Sequence, residues 1–259
     1  MQTRSPVYFI GHGNPMNALA DNQHTQAWAR LGERRPQPRA ILCISAHWYK
    51  PGMSVTAMDR PRTIHDFGGF PRALFQVQYP AAGDPALAQD ILQRLQPQEV
   101  ALDQDWGLDH GAWTVLRHMY PNADVPVVQL SIDETKPAHF HYALGRTLSQ
   151  LRDENVLILG SGNLVHNLHT YAWGDTQAQA YDWAIRFENI AREAMLRNDH
   201  RPLIEYEHSG RDAALSVPTP DHFLPLLYVL GTQHADDPVS FVTSGFDGGS
   251  VSMLSVQIG

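Results

Sequence analysis

Five of the fourteen histidines lie in a setting that is unusual for this residue. Each comes at the end of a predicted strand or the start of a predicted helix, among Gly, Pro, Asn and Trp: His12, His47, His110, His166 and His222. Neutral imidazole is a common metal ligand, and histidine is the usual acid or base near neutral pH. The pattern therefore predicts a metal centre with residues for proton transfer beside it.

The remaining histidines carry a weaker signal. Eight lie in predicted helices or polar loops, where a surface or structural role is the ordinary expectation: His24, His118, His139, His141, His169, His200, His208 and His234. His65 belongs to a glycine- and aromatic-rich loop, residues 61–71, whose composition favours a pocket wall over a solvated connector. That histidine either lines the pocket or holds its own loop together by hydrogen bonds.

Three short apolar runs must position the first group of histidines. Residues 7–10 lead into His12, residues 40–48 contain His47, and residues 156–159 continue through a Gly-Ser-Gly turn to His166. Such runs are typical of strands buried on both faces of an α/β sheet. Because ligands of open α/β sheets bind beyond the carboxyl ends of the strands, these histidines are predicted to meet at one sheet edge.

The rest of the chain alternates predicted strands and helices. Further strands are expected at 53–58, 125–132, 239–243 and 250–258, and helices at 22–31, 84–95, 111–121, 137–152 and 181–195. Thr219 and Pro220 form a cap-then-proline start that places His222 in a first helical turn, and Pro225 either kinks that helix or delays its beginning. No internal repeat or interdomain linker interrupts this order, so we predict a single α/β domain over residues 1–259.

Composition excludes several classes of partner. The formal charge of −8 and the lack of a Lys/Arg cluster argue against nucleic acid or an anionic membrane surface. No apolar run approaches the roughly 20 residues of a membrane span. Cys43 is the single cysteine, so no intramolecular disulfide can form, and a cytoplasmic location is expected.

Common enzyme signatures are missing. The chain has no H-E-x-x-H, G-x-G-x-x-G or P-loop motif. Ser161 follows a strand, but Leu159 stands where a serine-hydrolase elbow requires glycine. Zinc proteases of the helical type, dinucleotide enzymes, P-loop hydrolases and serine hydrolases are therefore disfavoured.

Six motifs in chain order resemble those of the class III extradiol ring-cleavage dioxygenases, and in particular the 4,5-DOPA dioxygenase type. They are GHGNP at 11–15, SAHW at 45–48, HDFGGFP at 65–71, DHG at 109–111, SGNLVHN at 161–167 and PTPDH at 218–222. The resemblance runs from the first strand to the closing residues 250–259. It implies a mixed sheet flanked by helices, with a non-haem metal in a cleft at one end of the sheet.

The resemblance also implies roles for individual residues. His12, His47 and His222 would bind one divalent metal per chain, with Asp221 adjacent to the third ligand. His166 would be either a fourth ligand or an acid/base, and His110 a second acid/base. Fe(II) is expected for activity, and Zn(II) is the alternative bound ion because an all-histidine site suits both metals.

The reaction implied is insertion of both atoms of O₂ into a small catechol, such as DOPA, next to its diol. The 61–71 loop would contact this substrate through a short set of residues: His65, Asp66, Phe67 and Phe70. Four charged residues near the motifs either hold a zwitterionic tail or are solvated, in which case many catechols are accepted: Asp66, Arg62, Arg72 and Asp109. Two alternatives stay open, a zinc-dependent hydrolase and a non-catalytic metal- or ligand-binding protein on the same fold. The sequence does not give the oligomeric state.

Overall fold

The apolar runs of the sequence assemble into one mixed β-sheet. The computed structural model describes residues 4–33, 36–175 and 178–259. The strands are β1 (Val7–Gly11), β2 (Ala40–Lys50), β3 (Met53–Thr56), β4 (Val100–Asp103), β5 (Val127–Asp133), β6 (Val156–Gly162), β7 (Val239–Thr243), β8 (Phe246–Asp247), β9 (Val251–Ser252) and β10 (Ser255–Ile258). Eight of them form a sheet in the order β4-β3-β5-β2-β6-β1-β10-β7, and β8 pairs with β9 separately.

Helices connect these strands. They are α1 (Gln23–Gly32), α2 (Arg72–Phe75), α3 (Pro85–Arg94), α4 (His110–Met119), α5 (Ala138–Leu148), α6 (Asp182–Leu196), α7 (Arg201–Ile204), α8 (Gly210–Ser216) and α9 (Leu224–Gly231). The cap signals of the sequence operate as expected: the Asn22 side chain accepts hydrogen bonds at the start of α1, and Asp84 does so for α3. Within the described part of the chain, no helix combines the length and apolar character needed to cross a membrane.

The sheet is covered by helices on both faces. Alternate residues of a strand point to opposite faces, and β1 shows the consequence. Val7 and Phe9 belong to a core shared with α3, α5, α6 and α9. Tyr8 and Ile10 belong to a second core shared with α1 and α4. The predicted fold class, an α/β fold with a central mixed sheet flanked by helices, is confirmed.

The central strands bring their carboxyl ends to one edge of the sheet. Strand β6 pairs in parallel with β1 on one side and with β2 on the other, and β2 pairs in parallel with β5. In this register Gly11 lies opposite Gly162, and Ser45 opposite Ser161. His12 and His47 therefore emerge beside each other, as the apolar runs predicted.

Two local expectations need correction. Of the two effects expected of Pro225, the delayed helix start is the one observed: the helix begins at Leu224, with Pro225 in its first turn. His222 therefore lies in the preceding turn and not in the first helical turn. The run 250–258 is divided into β9 and β10, which belong to different sheets. The short edge strand β4 was not predicted, since its four residues lack a buried face.

A buried ion pair stabilises the sheet edge at the amino ends of β1 and β6, opposite the edge where the histidines meet. Arg152 precedes β6, and its side chain is fully buried. Its guanidinium donates to the backbone oxygens of Ser5 and Thr232 and pairs with the carboxylate of Asp237. The segments before β1, after α9 and before β7 are thereby held together.

Candidate metal centre and active site

Three imidazoles from separate segments converge at the carboxyl edge of the sheet. His12 follows β1, His47 lies in β2, and His222 lies in the turn before α9. One ring nitrogen from each lies within 4.8 Å of those of the other two. The Nε2 atoms of His12 and His47 are 3.2 Å apart. Three nitrogens at this spacing form a donor set suited to iron or zinc.

His12 is held in the tautomer that leaves its Nε2 free. Its Nδ1 lies 3.0 Å from Oγ of Ser161, and that hydroxyl donates to the carbonyl oxygen of Gly111 at 2.6 Å. The Ser161 oxygen must therefore accept the Nδ1–H of His12. Outer contacts of this kind orient histidines that bind metals. Burial, followed by the neighbouring His222, lowers the pKa of His12 well below its ordinary value and keeps the ring neutral.

The Asp66 carboxylate faces two imidazoles at once. Its Oδ2 lies 3.0 Å from Nδ1 of His110 and 3.5 Å from Nδ1 of His47. Its Oδ1 accepts the backbone N–H of His110 at 2.9 Å. Burial alone would raise the pKa of the Asp66 carboxyl, but its contacts with the ring and the backbone N–H of His110 outweigh burial and lower it. Asp66 is therefore an anion that orients both rings.

A second aspartate orients His222. The Asp221 carboxylate accepts a hydrogen bond from Nδ1 of His222, which leaves Nε2 as the free nitrogen. Burial would raise the pKa of Asp221, but the bond to His222 lowers it far below the usual range. Gly162 allows this turn to approach β6, because a Cβ there would lie 2.1 Å from the carbonyl oxygen of His222. Asn163 donates its backbone N–H to the same carbonyl at 2.9 Å.

His166 lies against His222 and outside the three-imidazole group. The two rings are stacked, with centroids 3.6 Å apart and planes 4° from parallel. The nitrogens of His166 fall within 4.8 Å of Asp221 and His222, but not together with His12 and His47. Burial, followed by His222, lowers the pKa of His166 to about 3, so its ring is neutral. The geometry separates His166 from the expected ligands and leaves it facing the cavity described below.

A buried carboxylate supports the start of α4, which carries His110. Asp109 caps this helix and is fully buried; it accepts from Ser45 and from Gln129, each at 2.7 Å. Gly111 permits the helix to pack this closely, since a Cβ would lie 2.5 Å from Oγ of Ser45 and 2.8 Å from the ring of His47. The position of His110 is therefore fixed by the sheet itself.

The imidazoles open into a cavity of about 270 Å³. All five histidines that the sequence singled out line it, which brings the predicted group together. The other lining residues are Gly13, Asn14, Pro15, Phe70, Leu168, Tyr171, Trp173, Asp247 and Val251. Among these described residues Asp247 carries a charge, while lysine and arginine are absent.

The predicted substrate contacts are divided by the structure. Phe70 lines the cavity. His65 and Phe67 lie behind the wall: His65 contacts the carbonyl oxygen of Val77 through Nε2 at 3.0 Å, and the Phe67 ring packs on Phe70. Asp66 faces His47 and His110. The expectation that His65, Phe67 and Asp66 touch substrate is therefore not supported by their placement.

The four charged residues considered for binding a zwitterionic tail do not line the cavity. Asp109 is enclosed by its hydrogen-bond partners, and Arg62 donates to the carbonyl oxygen of Trp106. The wall that sequence reasoning missed comes from residues 168–173 and from β8 and β9. The closing motif at 250–259 hinted at the second part, but nothing in its spacing showed that it would meet His166.

Comparisons with known proteins identify the family of the chain. The family model described as the catalytic LigB subunit of aromatic ring-opening dioxygenase matches residues 6–256. A 4,5-DOPA dioxygenase extradiol of Escherichia coli (strain K12) is 51% identical over 99% of this chain and 96% of its own length. A protein of the same description from Beta vulgaris is 37% identical over 97% and 95%, respectively.

A solved structure gives the same result for the fold. The crystal structure of an uncharacterized protein from Escherichia coli K12 superposes with a TM-score of 0.87 at 45% identity, covering 99% of this chain and 100% of that one. The chain belongs to the LigB family of aromatic ring-opening dioxygenases, the class III extradiol enzymes whose motifs it carries.

Proposed function

We propose that this dioxygenase opens the ring of DOPA or a related small catechol by 4,5-extradiol cleavage. The observation that carries the proposal is the cavity lined by five imidazoles, three of which direct nitrogens at one point. We assign His12, His47 and His222 as the ligands of one divalent metal. Fe(II), when bound, supplies Lewis acidity towards the diol and an electron path between the diol and O₂.

The chain's own residues would move the protons. His166 lines the cavity with its ring stacked on that of His222, where it can accept a proton from a phenolic hydroxyl. His110 lies at the other side of the ligand group, oriented by Asp66, where it can return a proton as the ring opens. Positioned histidines are suited to both tasks. We therefore assign His166 as base and His110 as acid.

The cavity walls would position the ring. Phe70 offers an aromatic edge, and Leu168 and Val251 offer apolar contacts that exclude water from a planar substrate. Iron binds nitrogen donors less tightly than zinc, so we expect protein purified in air to carry zinc although iron is the working ion. A reducing cytoplasm stays the predicted compartment, because the single cysteine, Cys43, is a buried free thiol.

The test is oxygen uptake by protein loaded anaerobically with Fe(II). DOPA should cause a yellow absorbance to appear, with one O₂ consumed per ring opened. DOPA methylated on one phenolic oxygen is the matched control, and it should react on the order of 10⁴-fold less well because a site built for two oxygens is left with unpaired partners.

Failure would have a recognisable form. If no catechol is oxidised by the Fe(II) form while the zinc form hydrolyses esters or amides, the dioxygenase assignment is wrong and the zinc hydrolase takes its place. If neither form turns over any substrate but the metal is retained, the non-catalytic alternative takes its place.

A further inference from the structure

One wall of the cavity carries a carboxylate that ring opening does not use. Asp247 in β8 pairs with Val251 in β9, and Val251 in turn forms an antiparallel bridge with His166. Residues directly opposite each other on antiparallel strands place their side chains on the same face. Asp247, Val251 and His166 accordingly form a row, and all three line the cavity.

The length of this row suits a substituted catechol. It spans two strand spacings of about 4.8 Å, so the backbones of Asp247 and His166 are about 10 Å apart. A catechol whose diol lies among the imidazoles can therefore direct a short side chain towards Asp247. The carboxylate is at the distal end of the site, away from the bond that breaks.

Tyr171 positions this carboxylate. Its hydroxyl donates a hydrogen bond to Asp247, and burial together with that bond raises the pKa of Tyr171. Its ring lies against Gly248, where a Cβ would come within 2.4 Å of a ring carbon. The fit of ring against backbone leaves the Tyr171 hydroxyl little freedom to move away from Asp247.

The surroundings of Asp247 are those of an ammonium site. The rings of Tyr171 and Trp173 lie with centroids 4.6 Å apart, and both line the cavity with Asp247. A carboxylate beside aromatic faces attracts an organic cation through charge and through the ring quadrupoles. Among the described residues of the wall no lysine or arginine neutralises it. His24 lies outside the cavity but is close enough for the charge of Asp247 to affect its pKa. Burial is the larger effect and lowers the pKa of His24, so this ring is neutral and does not neutralise Asp247.

We propose that Asp247, held by Tyr171, binds the ammonium group of the substrate side chain, and that the enzyme selects catechols with an alkylammonium group over those with a carboxylate alone. The inference rests on the proposed function, since it places the diol among the imidazoles. It makes Asp247 a determinant of specificity and Tyr171 a positioning residue.

The test separates binding from ring opening. Dissociation constants are measured without oxygen on Fe(II)-loaded protein for three catechols: dopamine, 4-methylcatechol and 3,4-dihydroxyphenylacetate. Affinity should fall in that order. Asp247→Asn should reduce the preference for dopamine over 4-methylcatechol by about 10- to 100-fold, the usual weight of a hydrogen bond to a charged group. Asp105→Asn removes an exposed carboxylate outside the cavity and is the matched control; it should leave the preference unchanged.

The outcomes are distinct. Tighter binding of 3,4-dihydroxyphenylacetate than of dopamine by the unaltered protein overturns the inference. So does an Asp247→Asn variant that weakens all three catechols by the same factor, because that pattern indicates a structural role. A smaller preference for dopamine over 4-methylcatechol in Asp247→Asn supports the inference. Tyr171→Phe should then reduce the same preference to a lesser degree. Oxygen uptake on admitting air tests the dioxygenase assignment separately, since binding preference does not depend on turnover.

Discussion

Apart from His12, the candidate metal centre has two halves of like composition and different construction. The Asp66 half contains His47, Asp66 and His110, and the Asp221 half contains His166, Asp221 and His222. Each half pairs one proposed ligand with one proposed proton-transfer residue. In the Asp66 half one carboxylate faces both imidazoles. In the Asp221 half the carboxylate accepts a hydrogen bond from His222 alone, and the ring of His166 stacks on the ring of His222.

The supports of the two halves also differ. The Asp66 half rests on β2 and on the first turn of α4, which the buried Asp109 fastens to the sheet. The Asp221 half lies in turns held by backbone hydrogen bonds, such as that from His166 N–H to the carbonyl oxygen of Ser216 at 2.9 Å. A shared carboxylate should couple metal binding to proton transfer, while a stacked pair should keep the two functions separable. Four predictions test this difference.

The largest effect should come from removing a ligand in either half. His47→Ala and His222→Ala should each lose nearly all bound metal, because two imidazoles cannot replace three donors. Metal content after dialysis, measured by atomic emission, checks the result. His166→Ala is the matched control and should keep its metal. Full occupancy in His47→Ala and His222→Ala would refute the ligand assignment.

Removing the second imidazole of each half should lower turnover and spare the metal. His110→Ala and His166→Ala should lose on the order of 10²- to 10⁴-fold in kcat with Fe(II) present, the usual weight of a positioned proton-transfer group. Steady-state oxygen uptake at saturating DOPA measures kcat. Should His166→Ala release its metal as readily as His222→Ala, then His166 is a ligand and the two halves are more alike than proposed.

The aspartates should distinguish the halves most directly. Asp66→Asn and Asp221→Asn should each weaken metal affinity by about 10- to 100-fold, the typical cost of losing an outer partner of a histidine ligand. At saturating Fe(II), Asp221→Asn should recover most of its turnover, whereas Asp66→Asn should stay impaired because His110 has also lost its partner. Competition with a chelator gives the affinity. Equal recovery in both variants would show that the shared carboxylate does not couple the two functions.

The smallest effect concerns the two glycines that permit close packing. A Cβ at Gly162 would lie 2.1 Å from a backbone atom, the carbonyl oxygen of His222, while the nearest atom to one at Gly111 would be a side-chain oxygen at 2.5 Å. We expect Gly162→Ala to destabilise the fold by about 3 kcal/mol and Gly111→Ala by about 1 kcal/mol, within the usual range for overpacking. Urea unfolding monitored by tryptophan fluorescence measures both. A larger loss of unfolding free energy in Gly111→Ala than in Gly162→Ala would mean that the Asp66 half tolerates an added methyl group less well.

Much of the frame could be predicted because buried strands have a local signature. The apolar runs ending near His12 and His47 specify both the strand and its direction, and parallel pairing then brings the histidines to one edge. Thr219-Pro220 has the form of a helix start and predicts His222 in a first helical turn. The helix instead begins at Leu224, because a helix accommodates Pro225 only in its first turn.

The contacts around the imidazoles could not be predicted in the same way. The motif around Ser161 disfavours a nucleophile and indicates no other role, whereas in the structure Ser161 orients His12 by accepting a hydrogen bond from it and donating one to Gly111. Asp247 joins the cavity through its pairing with Val251, which in turn pairs with His166, 85 residues earlier in the chain. Such long-range pairings leave no periodic trace in a single sequence. Composition had favoured the aromatic loop as the wall, yet most of that loop packs behind it.

The ion pair of Arg152 and Asp237 makes the stability of the fold sensitive to pH at the sheet edge remote from the clustered imidazoles. Burial would raise the pKa of the Asp237 carboxyl, but the bond from Arg152 outweighs burial and holds it below the usual range. The unfolded chain therefore takes up this proton first as acid is added. The pair contributes its full stability above about pH 3.9, the ordinary carboxyl pKa, and loses it as the pH falls through the lower folded value. Part of the activity lost in strong acid is therefore caused by unfolding, as the ion pair that anchors β1 and β7 is lost. Only the remaining loss reports on protonation of the histidines.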